Sequence, residues 1–148
     1  KDQQALSPTD FAMSVHNSPV GSLTMAAKQP LVSSSISAGM DSFQQGLLEV
    51  TALHQAGYAQ VLLVDFDGVV PAYYQPWLPE IDRFNAPYAV ALLLQSGDAW
   101  RCTAESARPE PEVLPQSLQF LQAMLRDDAQ MTIAGERHLW HWERHDGK

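Results

Sequence analysis

Lysine is nearly absent from this chain: only Lys1, Lys28 and Lys148 in 148 residues, with nine Lys plus Arg against seventeen Asp plus Glu and a net charge of −8. A nucleic-acid partner is thereby excluded, because phosphate binding needs a basic face. The single cysteine, Cys102, rules out an internal disulfide and a thiolate metal site and suits a reducing compartment, so the cytoplasm is the expected location. Long apolar runs are missing too. Runs such as Val61 to Val64, which ends at Asp65, and Tyr88 to Leu94, which ends at Gln95, fall far short of the roughly 18 residues that cross a bilayer, and no membrane span is expected. What remains is ordinary globular composition, 45% hydrophobic and 18% charged, enough for one domain over residues 1–148. The chain begins at Lys1 without a methionine or an apolar leader, so an N-terminal portion is expected to be missing.

The stretch from Ser33 to Asp67 organises the rest. Leu31 to Ser37 reads as a strand of small and β-branched residues, Gly39 permits a sharp exit, and Asp41 or Ser42 is placed to cap a helix. Phe43, Leu47, Val50 and Leu53 recur at four- and three-residue steps, the signature of one buried face, and Gly57 is a natural C-cap. VLLVDF, from Val61, is continuous rather than alternating, as expected of a strand covered on both faces. Upstream, Asn17 or Ser18 can cap a helix with Pro19 at its first position, ended by Pro30. Downstream, Pro71 to Pro87 predicts an irregular loop and Tyr88 to Gln95 a third strand, with Trp100 to Ala104 its hairpin partner. Ser117 opens a helix with Leu118, Leu121, Met124 and Leu125 inward, and the last strand is MTIAGERHLWHWERH.

Several constellations could carry chemistry. VLLVDFDGVV resembles the first motif of haloacid-dehalogenase-type phosphatases, which implies Asp65 as nucleophile and Asp67 as acid/base beside magnesium. That chemistry also needs a cation for the transferring phosphoryl, and only Lys148 follows; the plain alternative is that the two aspartates end a strand and fix the turn at Gly68. His138, His141 and His145 could ligate a metal, but on a strand His138 and His141 face opposite sides; Trp140 and Trp142 then cover the core with the histidines as rim. Ser37 or Ser42 as nucleophile lacks the Gly-x-Ser-x-Gly elbow, and His16 or His54 would serve as base only if the fold brought them close. Cys102 has no adjacent base and reads as a plain thiol.

Taken together, SPTDFAMSVHNSPVGSLTMAAKQPLVSSSISAGMDSFQQGLLEVTALHQAGYAQVLLVDFDG resembles the N-terminal half of β-ketoacyl synthases of the thiolase-like superfamily. Asn17, Gly21 and Ser37-Ala38-Gly39 take the places of the family's Asn, its Gly and its nucleophile turn, and GLLEVTALHQAGYAQVLLV matches the nucleophile helix and following strand. Beyond Gly68 the chain is similar to short synthase-like proteins carried with aryl-polyene or fatty-acid-type biosynthesis. The resemblance implies an α/β thiolase-like half-domain, a mixed sheet packed by helices with strand-turn-helix-strand at its centre. The family's nucleophilic cysteine falls on Gly39, and its two histidines belong to a second half, so no catalytic residue, metal or cofactor is expected. Ser37, Ala38, Met40, Asp41, Ser42 and Asn17 would line the turn or an acyl pocket. Val32, Ser33, Ser34, Ser35 and Ile36 would form a strand pairing across a dimer axis. The implied role is that of a non-catalytic subunit, as a homodimer or a heterodimer with an active ketosynthase, served by an acyl carrier protein. The alternatives are a magnesium-dependent phosphatase using Asp65 and Asp67, or a stand-alone acyl-binding module.

Overall fold

In a computed structural model, residues 7–15, 17–77, 84–110 and 112–145 are described, and contacts cluster into two units, 1–37 and 38–148. The first holds two helices, α1 (Pro8–Ser14) and α2 (Ser18–Ala27). Proline in the first turn of α2 sits where its missing N–H costs nothing, and Lys28 closes the helix in the left-handed region at φ 51°. Asn17 occupies the cap position without a side-chain hydrogen bond, and α2 carries no buried residue.

Residues 31–37, expected as a strand, join no ladder. The correction has a plain cause: a run of serines and β-branched residues favours extended chain but becomes a strand only against a second backbone, and Val32 stands 72% exposed.

The second unit contains α3 (Ser42–Gln55), β1 (Gln60–Asp67), β2 (Tyr88–Gln95), β3 (Trp100–Ser106), α4 (Gln116–Leu125), β4 (Gln130–Ala134) and β5 (His138–Arg144). The expected mixed sheet resolves into two antiparallel ones, β1–β2 and β3–β5–β4. β2 does not turn back onto β3. Instead β3 pairs with β5, in a register that sets Cys102 opposite Trp142 and Trp100 opposite Arg144. This places Trp100 at 6.5 Å and Trp142 at 5.3 Å from the Phe120 ring, so aromatic burial rather than the short turn decides the partner. The expected single last strand is a hairpin broken at Gly135.

Phe43, Phe120, Ile133 and Trp140 form the buried centre, with Leu63 and Leu92 from one sheet and Cys102 and Met131 from the other packed around it. Helices α3 and α4 therefore sit against both sheets, joined by Phe43 and Phe120 at 5.4 Å. Gly46 lets α3 approach β1 closely, since a Cβ there would lie 2.9 Å from Leu63 Cδ1. The spaced apolar face of α3 is borne out at Phe43 and Val50, both buried, and Gly57 follows the helix at φ 99°.

Helix α4 corrects the expected inward face. Gln116, Ser117, Phe120 and Ala123 are buried, whereas Met124 and Leu125 are exposed, Leu125 by 79%. Pro115 sits at the cap position and the helix begins at Gln116, one residue earlier than expected. β1 is corrected as well: burial alternates, with Val61, Leu63 and Asp65 half-buried and Leu62, Val64 and Phe66 exposed. The proline-rich loop holds a short 3-10 turn at Gln75–Trp77, and its two ends are tied by Val70 N–H donating to Asn85 Oδ1 at 2.7 Å. No helix among the described residues is long and apolar enough to cross a membrane.

Candidate functional site

The turn entering α3 is built from Ala38 to Ser42. Gly39 takes φ 58°, a left-handed conformation that a side chain resists, and opens a 3-10 turn through Asp41. Ser42 locks it from within: its hydroxyl donates to the Gly39 carbonyl at 2.7 Å and accepts the Ala38 N–H at 2.9 Å. A Cβ at Gly39 would meet nothing within 4 Å. The position is therefore open in space and restricted in backbone, and it carries no nucleophile.

Asp41 was placed by its sequence position as a helix cap, yet it makes no cap hydrogen bond. Its carboxylate is held by three donors from distant parts of the chain. Oδ1 accepts from Gln116 Nε2 at 3.0 Å and from Trp140 Nε1 at 3.2 Å, and Oδ2 accepts the Glu136 N–H at 3.1 Å. Gln116 Nε2 also donates to the Ala134 carbonyl at 2.9 Å. Gly135 is the residue that makes room, because a Cβ there would stand 2.2 Å from Asp41 Oδ1 and 2.8 Å from Trp140 Nε1. A buried indole N–H and a half-buried carboxylate each need a partner, and here each satisfies the other. Gln116, Gly135 and Trp140 were not legible as site residues from the sequence; a glycine inside the expected last strand is the one sign there of a close approach.

Ser37 and Asn17 lie in the first unit, and His16 lies outside the described residues. Met40 and Ser42 are half-buried in the turn. His54 Nδ1 is 2.7 Å from the Tyr58 carbonyl at the end of α3, a helix-terminus role. Asp65 accepts the Tyr88 hydroxyl at 3.2 Å. Burial, followed by the Asp65 charge and hydrogen bond and the Asp67 charge, pushes that hydroxyl above its usual range and keeps it the donor. Asp67 Oδ1 accepts the Gly68 N–H at 2.7 Å, so both aspartates of the phosphatase-like motif are engaged in fixing the strand end.

Among the histidines, His138 lies over Trp140 at 5.6 Å, on the opposite face of β5 from His141. His141 Nδ1 is 3.1 Å from Thr132 Oγ1 and Nε2 is 3.2 Å from Glu105 Oε2. No three metal-ligating side chains converge among the described residues. A shallow cleft of about 210 Å3 runs along this outer sheet face, lined by Arg101, Thr103, Gln130, Thr132, His141 and Glu143 among others; it does not include the Gly39 turn. Burial pushes the Cys102 thiol up to about 11, which makes it a poor nucleophile.

This arrangement positions a backbone turn at the head of a helix, with a glycine at its left-handed position. The family model described as "Beta-ketoacyl synthase, N-terminal domain" matches residues 1–143. No curated protein matches the chain. Among solved structures it is similar to a chain of the ketosynthase (ApeO) in complex with its chain length factor (ApeC) from Xenorhabdus doucetiae. The identity is 50% and the TM-score 0.90, over 96% of this chain and 59% of that one. The chain thus spans less than two thirds of that relative's length, while its fold agrees with it. By the extent of the family match and by that likeness in sequence and fold, the chain belongs to the β-ketoacyl synthase N-terminal domain family, with a thiolase-like half-domain fold.

Proposed function

We propose that the chain is a non-catalytic ketosynthase-like subunit that supports acyl-carrier-protein-dependent synthesis of polyene or fatty-acid-type chains. The observation that carries this reading is Gly39: at the place where the family resemblance puts the nucleophilic cysteine, there is a left-handed glycine with no side chain. Without a thiolate, no acyl-enzyme forms. Support for a partner comes from the similar structure, which pairs a ketosynthase with a chain length factor. Residues 31–37 support it as well: they join no strand ladder among the described residues, and their small side chains allow a second backbone close, either in a homodimer or against an active ketosynthase. We also take residues 1–148 as part of one ketosynthase-like domain, with a further portion preceding them in the same polypeptide, in keeping with the greater length of the similar chain.

The test is reconstitution with malonyl- and acyl-loaded carrier protein. Alone, the chain yields no condensation product, and Gly39→Cys does not restore it because the family's histidines are missing from this half. Added to a ketosynthase of the same biosynthetic system, it raises the yield or shifts the length of the product. Condensation by the chain alone, or a ketosynthase indifferent to it, overturns the proposal. Light scattering on the eluted complex reports the partner directly: a strict monomer, both alone and with the synthase, removes the pairing.

A further inference from the structure

The outer face of β3–β5–β4 gathers a hydroxyl, an imidazole and a carboxylate from three different strands. Thr132 on β4 stands directly across the ladder from His141 on β5, and Thr103 on β3 flanks the histidine from the other side. Glu105 lies two residues beyond Thr103 and therefore on the same face. Thr132 Oγ1 is 3.1 Å from His141 Nδ1, and Glu105 Oε2 is 3.2 Å from Nε2. An ordinary cross-strand pair uses one such contact; here both ring nitrogens are engaged. A carboxylate only accepts, so Nε2 carries the proton. In the neutral ring Nδ1 then bears the lone pair, and the Thr132 hydroxyl donates into it.

The backbone adds a further donor. Gly135 N–H donates to the His138 carbonyl and Arg144 N–H to the Ala129 carbonyl. Hydrogen-bonded pairs alternate along an antiparallel ladder, so Ile133 and Trp140 exchange backbone bonds while Thr132 and His141 do not. Theirs is the kind of pair that brings side chains closest, and because β4 is an edge strand, the Thr132 N–H is directed away from the sheet. The array opens on the cleft of about 210 Å3 that Thr132 and His141 help to line, and the His141 side chain is 39% exposed, within reach of a small molecule.

The geometry points to an acyl-transfer site at Thr132, His141 and Glu105 whose substrates are short-chain carboxylic esters. This activity is separate from condensation and does not rest on the reading of Gly39. Thr132 Oγ1 attacks the ester carbonyl as its proton passes to His141 Nδ1, and the Thr132 N–H faces the oxyanion that forms. The bond to the alcohol breaks, the alcohol leaves with the proton from Nδ1, and the acyl group stays on Thr132. Water then adds to that carbonyl, giving its proton to Nδ1; the acid departs as the proton returns to Oγ1. Glu105 touches no substrate and is a positioning residue that holds the imidazole in the tautomer the first step needs.

The test uses the full-length protein and p-nitrophenyl acetate, with nitrophenolate release followed by absorbance and the acid-quenched protein mapped by peptide mass spectrometry. The expected result is an acetyl group on Thr132. Thr132→Val loses that label, and His141→Gln lowers its rate of formation by about a hundredfold; Thr132→Ser keeps both label and release, and His145→Gln leaves them unchanged. Nitrogen-15 correlation spectra of the neutral His141 ring show the proton on Nε2. Glu105→Leu slows acetylation and redistributes that proton between the two nitrogens, which a role in packing alone would not do. No acetyl group on Thr132, release undiminished in Thr132→Val, or acetylation confined to another histidine, a lysine or Cys102 overturns the proposal. A proton on Nδ1, or a tautomer unmoved by Glu105→Leu, overturns it as well. Should Thr132→Val or His141→Gln not fold, the peptide map and the tautomer of the unaltered protein decide.

Discussion

Asp41 shows how little of a residue's role its local sequence can carry. Position and residue type pointed to a helix cap, and the side chain instead accepts from Gln116, Glu136 and Trp140. The spacing of a helix start is written locally, whereas donors 75, 95 and 99 residues away are not. Removing the carboxylate leaves the indole N–H and the glutamine amide short of an acceptor, so Asp41→Ala is expected to cost about 2–3 kcal/mol by urea denaturation. Gly135→Ala drives a methyl group into the same carboxylate and is expected to cost about 1–3 kcal/mol. In combination the two losses fall well short of additive, because both dissolve one contact; full additivity would show that Gly135 is needed for something else. Cys102 gives a second residue-scale prediction. Its ordinary value of 9.0 is raised to about 11 by burial, so at pH 8 it carries roughly a hundredth of the thiolate of an unperturbed thiol, and iodoacetamide alkylates it more slowly by a similar factor. The linked stability runs in the opposite sense from a carboxylate's: above pH 9 the unfolded thiol ionises while the folded one does not, so stability falls as pH rises from about 9 towards 11. Alkylation as fast as that of a free cysteine would contradict the burial.

At the scale of elements, legibility followed the strength of the periodic signal. Helix α3, β1 and β2 fall close to where spacing and glycines put them, because a long single-sided pattern has one solution. Helix α4 did not, since its sequence QSLQFLQAML offers two apolar stripes and the one chosen holds Phe120 and Ala123 with two buried polar residues. Phe120 settles this by stacking with Phe43 and Trp142 at once, a choice made by the neighbours. The corrected face is testable: Leu125→Lys, at an exposed position, changes stability by less than about 0.5 kcal/mol. Ala123→Leu, by contrast, overpacks the helix against its neighbours and costs about 1–3 kcal/mol. The reverse ranking in thermal or urea melts would restore the face that the leucine spacing suggested. The partner of β3 was illegible for a similar reason, as a nearby turn favours β2 but the register with β5 buries Trp142 and Cys102 together.

For the whole molecule, family and fold were legible from the order of Asn17, Gly21, the Ser37-Ala38-Gly39 turn and the helix after it, because that order is a property of the sequence. Pairing of the two sheets was not, and neither was the state of residues 31–37, which form no strand although their composition favours extended chain. If that segment is the assembly strand, Ser34→Arg sets a bulky charge where a second backbone must approach; it is expected to abolish assembly in light scattering while leaving the circular dichroism and melting of the isolated chain unchanged. Unaltered assembly would move the interface elsewhere. The bonds that hold Asp41 bear also on the order of synthesis. The turn at Gly39 leaves the ribosome well before the groups that fasten it, Glu136 and Trp140, which follow Asp41 by 95 and 99 residues. During translation the head of α3 therefore stays unfastened until those residues have been made, and a truncation just before Gly135 would remove two of the three donors to Asp41.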